Sequence, residues 1–393
     1  MTNQPILHNI RILDFSWVLA GPYATRLLAD FGAEVIKVQP LLPSEADDAF
    51  ARGYENTWNR NKLGITLNLN KAEGVALARR LVAICDAVVE NFTPRVMANW
   101  GLDYKNLQKI KPDIIMVSMS VMGQTGPWRD YAGFGPTVHA FSGMTRLTSF
   151  PGKPPIGPGF SYADHVAGLY ASLALLGALE YRRRTGEGQF VDISQVEAMA
   201  SLLGGTILDY TAHGHEAVPV GNSSSLAAPH NVYRCQGDDR WCAIAVFTDE
   251  EWSGFKRALG NPSWAEGEEF ATLSRRLNNA EELDRLVAAW TKERTAEEIT
   301  ALLQANGVAA GVVQDASDLV TNPQLNERGF FIDPEHKQPG QTAADATPIR
   351  LSQAPASYRR AAPTPGQDND YVYRQLLGMS EIEVAELRES GVI

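Results

Sequence analysis

Strand and helix patterns alternate from residue 11 to residue 118, and this alternation constrains the fold more than any other feature of the chain. Arg11-Ile12-Leu13-Asp14-Phe15 reads as a strand, closed by the turn Ala20-Gly21-Pro22. Pro22 suits the opening of a helix over residues 23–31, where apolar residues recur at helical spacing. Val35-Ile36-Lys37-Val38 is the next strand, followed by a polar loop rich in Asp and Pro. A helix over 72–84, the strand Ala87-Val88-Val89-Glu90, a helix over 104–110 and a strand over 114–118 continue the series. Strands separated by helices in this way form a parallel, doubly wound sheet. Ligands of such sheets collect beyond the carboxyl ends of the strands, which directs attention to the loops after Phe15, Val38, Glu90 and Ser118. No G-x-G-x-x-G follows the first strand and no G-x-x-x-x-G-K-[ST] occurs, so the sheet does not support NAD or ATP. A dehydrogenase is therefore a weak alternative.

At 393 residues the chain is too long for one ordinary core, and two domains are expected. Residues 123–160 are dense in Gly and Pro and read as a long ordered loop. Helical pattern returns over 162–184 and 195–213, with the turn Thr185-Gly186-Glu187-Gly188-Gln189 and the strand Phe190-Val191-Asp192-Ile193 between them. Residues 221–228 suit a crossing into a smaller α+β domain. That domain opens on a hairpin (Tyr233-Arg234-Cys235 with Trp241 to Val246) and continues in charged amphipathic helices over 250–259 and 281–290. Beyond Pro334 the tail is rich in Gly, Pro and Gln until a last helix over 380–389, and it needs a docking surface to stay ordered.

Several classes are excluded. No apolar run reaches the roughly 20 residues of a membrane span. Met1-Thr2-Asn3-Gln4-Pro5 lacks the basic and apolar parts of a signal peptide, which points to the cytoplasm. Cys85, Cys235 and Cys242 form no C-x-x-C pair and read as structural thiols. His213-Gly214-His215-Glu216 does not match a helical zinc motif, so no metal is expected. A net charge of −11 argues against a nucleic-acid groove but leaves room for a small anionic ligand.

Three constellations can carry chemistry. Ser161-Tyr162-Ala163-Asp164 opens an otherwise uncharged small-residue helix. Asp164 there is either the acidic member of a capping box or a nucleophile. The two roles are compatible, since a helix N-terminus stabilises a carboxylate and depresses its pKa. Glu90-Asn91-Phe92-Thr93-Pro94-Arg95 places an amide, a ring and a guanidinium at a strand end; it is either a nucleotide contact or an ordinary strand-to-helix loop. Asn59-Arg60-Asn61-Lys62 is a basic turn, either a phosphate clamp or a plain surface turn.

Taken together with Leu13-Asp14-Phe15, Ala20-Gly21-Pro22 and the run Leu28 to Val38, these pieces resemble the class III CoA-transferase family. That group holds formyl-CoA and carnitine-type CoA-transferases and α-methylacyl-CoA racemases. Further matches are Asn61-Lys62, Glu90-Asn91-Phe92, Gly123-Gln124-Thr125-Gly126-Pro127, Asp164 with Gly168, and Thr185 to Gln189. Gly329-Phe330-Phe331, Pro348 to Ser352 and Ala362 to Gln367 follow in the same order. The resemblance implies an α/β fold with a large Rossmann-like domain from both chain ends (residues 1–222 and 326–393) and a small α+β domain (223–325). It also implies an interlocked homodimer, with a heteromer formed with a paralogue as the variant. Coenzyme A or acyl-CoA enters as substrate and no cofactor is tightly bound. Asp164 falls at the catalytic aspartate. Val18, Leu67, Asn91 and Phe92 fall where related enzymes contact CoA, and Lys62 belongs to the same region. Arg95 compensates for a basic residue that is Asn99 here, while Gln39-Pro40 departs from the family pattern after the second strand. Leu19 replaces a polar group near the acyl oxygens, and Ser224 to Ala228 is not the glycine-rich loop of formyl-CoA enzymes, so oxalate and formate are disfavoured.

The racemase branch uses a histidine where this chain has Phe134, which cannot transfer a proton. His139 is then structural. The expected reaction moves CoA from an acyl-CoA, such as succinyl-CoA, to a small carboxylic acid. A non-catalytic CoA-binding subunit is a third alternative. The aromatic and proline-rich loop from Phe134 to Phe160 suggests an apolar pocket for an aromatic or branched acid.

Overall fold

A computed structural model describes residues 4–41, 49–332 and 344–393. The polar loop expected after the second strand lies largely outside the described residues, as does the start of the Gly- and Gln-rich tail. The chain separates into two units. The first comprises residues 1–146, 157–217 and 326–393, the second residues 147–156 and 218–325.

The first unit is built on six parallel strands in the order β3-β2-β1-β4-β5-β6. They are β1 (Arg11–Asp14), β2 (Glu34–Gln39), β3 (Leu63–Thr66), β4 (Ala87–Glu90), β5 (Ile115–Ser118) and β6 (Phe190–Asp192). Successive residues of a strand face opposite sides, so each strand feeds two cores. Leu13, Ile36, Val88 and Met116 pack with Leu77 and Leu81 of the Ala72–Ala83 helix and with Tyr373, Val384 and Ile393 of the C-terminal segment. Ile12, Val35, Val89 and Val117 face the other way. There they meet Ala24 and Leu28 of the Ala20–Asp30 helix and Ala171 and Leu175 of the Tyr162–Thr185 helix. The strand order reverses between β1 and β4, which opens a crevice at their carboxyl ends.

The second unit carries an antiparallel sheet of β7 (His230–Arg234), β8 (Trp241–Ala245) and β9 (Ala309–Val312). Tyr233, Cys242 and Ile244 pack there against Trp252, Phe255 and Val287 of its helices. Two short strands, β10 (Phe331–Ile332) and β11 (Ala344–Asp345), pair antiparallel in the first unit. Among the described residues, no helix is long and apolar enough to cross a membrane.

Two expectations change. The helix read over 195–213 is Gln195–Ala200, a 3₁₀ turn Ser201–Leu203, and Gly204–His213. The break coincides with Gly204-Gly205, where backbone entropy disfavours a continuous helix. The loop over 123–160 contains the short helices Gly135–Phe141 and Met144–Leu147.

Candidate active site

Asp164 lies in the first turn of the Tyr162–Thr185 helix and is only 9% exposed. Its carboxylate accepts backbone hydrogen bonds from its own amide and from that of Ala20, the first residue of the Ala20–Asp30 helix. Neither helix is capped by a side chain at its N-cap residue (Ser161 and Leu19 make no capping bond). One acid is therefore shared by the amide-rich ends of two helices. The capping box expected from Ser161-x-x-Asp164 does not form. Instead, Ser161 shares a hydrogen bond with the Tyr54 hydroxyl.

Burial raises the Asp164 pKa to about 6, and the two backbone amides only partly offset it. This corrects the expectation of a depressed value. Helix-end stabilisation is present, but desolvation exceeds it.

Two glycines make the arrangement possible. A Cβ on Gly168 would stand 2.8 Å from the Ala20 carbonyl oxygen and 2.9 Å from the Tyr23 ring, so the two helices meet backbone to backbone. A Cβ on Gly135 would stand 2.8 Å from Ser161 Oγ and 2.9 Å from Asp164 Oδ2. Aromatic rings gather beside the acid. The His165 ring lies 5.0 Å from Tyr23, 5.2 Å from Trp58 and 5.3 Å from Phe160, and its Nδ1 donates to the Ser161 carbonyl at 2.9 Å. Arg26 spans Tyr23 and Trp58 while binding both carboxylate oxygens of Asp345 at 2.9 Å. His139 is buried, and its Nε2 accepts the Ala163 amide at 3.0 Å. It is engaged by backbone, as a structural residue would be. Phe134 is exposed at the N-cap of the Gly135–Phe141 helix.

The loop after β1 is fastened at several points. Asp14, buried at the end of β1, accepts from Ser16 N at 2.9 Å, from the Ser16 hydroxyl, from Thr25 Oγ1 at 2.7 Å and from Lys62 Nζ at 3.0 Å. Burial alone would raise the Asp14 pKa, but Lys37 and Lys62 bring it down to about 2. Asn91 clamps the next residue, accepting from Trp17 N–H and donating to Trp17 C=O, each at 2.9 Å. Val18 follows at φ 62°, a left-handed conformation that is an outlier for a β-branched residue. Leu19 is buried. Phe92 packs 6.2 Å from Trp17 and 5.6 Å from Trp100, and its amide donates to Glu90 at 2.7 Å. Burial raises the Glu90 pKa to about 7. Val18, Asn91 and Phe92 thus stand together in the loops that follow β1 and β4. Arg95 is exposed, 3.4 Å from Asp130.

Two of the expected CoA contacts, Lys62 and Leu67, are buried. Lys62 has no exposed side-chain surface and donates to Asp14 and Pro22 O at 3.0 Å and to Asn59 at 2.9 Å, so it has no donor left for a phosphate. Leu67 is buried in the core with Ile36 and Ile65. The basic turn holding Lys62 is not a surface turn either. Asn59, Arg60, Asn61 and Lys62 are all buried, with Arg60 and Asn61 bound to Asp30. Asp14, Asp30 and Tyr54 were not among the expected site residues. Asp14 lies within a matched motif, but nothing local marks a buried hub whose partners are up to 48 residues away.

Residues 7–369 match the model of CoA-transferase family III. The succinyl-CoA–D-citramalate CoA-transferase of Chloroflexus aurantiacus is 37% identical over 396 residues, covering 98% of both chains. The alpha subunit of a succinyl-CoA–L-malate CoA-transferase of Chloroflexus aurantiacus is 32% identical, covering 98% of this chain and 92% of its own. The crystal structure of a CaiB/BaiF family protein from Brucella suis superposes with a TM-score of 0.86 at 31% identity, covering 94% of this chain and 99% of that one. Ordered motifs, parallel sheet and full-length relatives agree: the chain belongs to CoA-transferase family III.

Proposed function

We propose that the enzyme moves CoA from succinyl-CoA to a small carboxylic acid, with Asp164 as nucleophile. The observation that carries this reading is Asp164 itself, a buried acid with a pKa of about 6 facing the amides of two helix ends. At neutral pH it is largely ionised and attacks without a general base. Its oxygen adds to the thioester carbonyl of the donor and the carbon–sulfur bond breaks, leaving an acyl-aspartyl anhydride and CoA thiolate. The thiolate then attacks the aspartyl carbonyl, releasing the donor acid and forming an aspartyl-CoA thioester. The acceptor carboxylate displaces CoA thiolate from that thioester, giving a second anhydride. Attack of the thiolate on the acceptor acyl carbon yields the new acyl-CoA and frees Asp164. Each step exchanges groups of similar activation, so no ATP is consumed. Backbone amides aimed at the developing oxyanions stabilise them more than the ground state.

CoA binds across the β1–β4 crevice, against Val18, Asn91 and Phe92, with Arg95 toward its phosphates. The donor follows the relatives, whose names specify succinyl-CoA. A racemase reading is less well supported, because Phe134 cannot carry a proton and His139 is held by the Ala163 amide. Self-association into an interlocked dimer, across the domain layout expected from the sequence, completes the proposal. A paralogous partner is the variant, since one relative is an alpha subunit.

The test is exchange of labelled succinate into succinyl-CoA by the purified single chain, with and without Asp164→Ala. Loss of exchange on substitution is expected; undiminished exchange would refute the nucleophile. A mass-spectrometric panel of short dicarboxylic, branched and aromatic acids identifies the acceptor.

A further inference from the structure

The C-terminal turn of the Gly204–His213 helix gathers three ligating side chains that the acyl transfer does not use. Asp209 and His213 stand four residues apart, on one face of the helix, with Nδ1 2.9 Å from Oδ1. Gly214 caps the helix in the left-handed conformation at φ 71°, its amide donating to Tyr210 O at 2.8 Å. The chain reverses there, and His215 Nδ1 comes within 3.3 Å of the same Asp209 oxygen. One ligand atom from each residue lies within 4.8 Å of the other two. Comparing the two histidines with each other misses this group, because its third member lies a helical turn upstream.

Two of the three spacings are close to those of a coordination shell. A tetrahedral zinc ion with bonds of about 2.0–2.1 Å sets its ligand atoms roughly 3.3 Å apart. The two distances to Asp209, 2.9 and 3.3 Å, already approach that edge, while the two histidine atoms lie within 4.8 Å of each other and would close on the ion. The negative end of the helix dipole favours a cation at this position. All three side chains are at least half exposed, which leaves room for water to complete the shell. Without an ion, exposed contacts of this kind contribute too little to hold three solvated side chains together firmly.

We propose that Asp209, His213 and His215 bind a divalent ion of the zinc class, with water completing the coordination. The ion staples the end of the helix and takes no part in acyl transfer. The proposal is independent of the reaction assigned to Asp164.

Metal-stripped full-length protein is titrated with Zn²⁺ by calorimetry and with Co²⁺ by visible absorption. The same titrations are run on Asp209→Asn, His213→Ala and the double variant His213→Ala/His215→Ala. Replacing outer-shell partners of metal ligands already weakens binding about 10- to 100-fold, so loss of a ligand should lower affinity at least tenfold. One equivalent is expected in the parent protein, weakened in each single variant and absent from the double variant. Zn²⁺ should raise the melting temperature of the parent and not of the double variant. An equivalent that survives in the double variant, or no binding below millimolar metal, overturns the proposal. Circular dichroism melts of the metal-free variants confirm that they are folded.

Discussion

Keeping Asp164 ionised works against folding. Its folded-state pKa of about 6 stands above the ordinary carboxylate value of 3.8, so the buried charge costs about 3 kcal/mol above pH 6. The associated stability is fully present below about pH 4 and is lost as pH rises through 6. Asp164→Asn should therefore be more stable than the parent by about 1–3 kcal/mol at pH 8 and equal to it at pH 4, as read by urea melts. Lys62 gives the opposite kind of test. It is a fully buried counter-ion of Asp14, and Lys62→Met leaves that carboxylate buried with one of its two lysines removed. A loss of about 3–5 kcal/mol in stability is expected, with no rise in the KM for CoA substrates among folded molecules. A lone acid opening an apolar helix is a local signal that singles out Asp164 in the sequence, although the capping box it suggests does not form. The sequence misplaced Lys62, because a basic turn looks the same in sequence whether it faces solvent or Asp14, Asp30 and Asp345.

At the scale of elements, the contact between the Ala20–Asp30 and Tyr162–Thr185 helices brings the Ala20 amide to Asp164. Gly168→Ala drives a methyl against the Ala20 carbonyl and the Tyr23 ring. It should cost about 1–3 kcal/mol and lower kcat more than it raises KM, since the acid loses register with its donor. Steady-state kinetics beside a thermal melt separate the two effects. The strands were legible because buried parallel strands are short apolar runs, and Ala87–Glu90 stands where it was read. The π-helical turn Asp370–Leu376 was not. Its Val372 and Tyr373 pack under the sheet through contacts with residues some three hundred positions away, such as the Tyr373 hydroxyl on Thr66 O at 2.7 Å. The fastened loop that holds Val18 at positive φ was equally hidden, since it depends on Asn91 crossing from a neighbouring strand.

For the whole molecule, the main question is what covers its bare apolar surface. The Tyr162–Thr185 helix exposes Leu169, Tyr170, Leu173 and Leu176, and the Gly204–His213 helix exposes Ile207, Leu208 and Tyr210. A helix apolar on nearly every side is normally buried, and under the proposed self-association a second copy of the chain would supply a self-complementary cover. Leu173 is 68% exposed and should be the most sensitive position. Leu173→Asp should shift the protein from dimer to monomer in size-exclusion chromatography with light scattering, while a parent that elutes as a monomer refutes self-association. The first turn of the Ala20–Asp30 helix has a further consequence. In sheets of this kind that position commonly receives the anion of a diffusible ligand. Here a carboxylate tethered to the protein occupies it, so under the proposed reaction the group that accepts the acyl chain would already be docked before any substrate arrives. Such a group cannot be washed out between the two halves of an exchange, as the proposed covalent intermediate would require while it waits for a second acid.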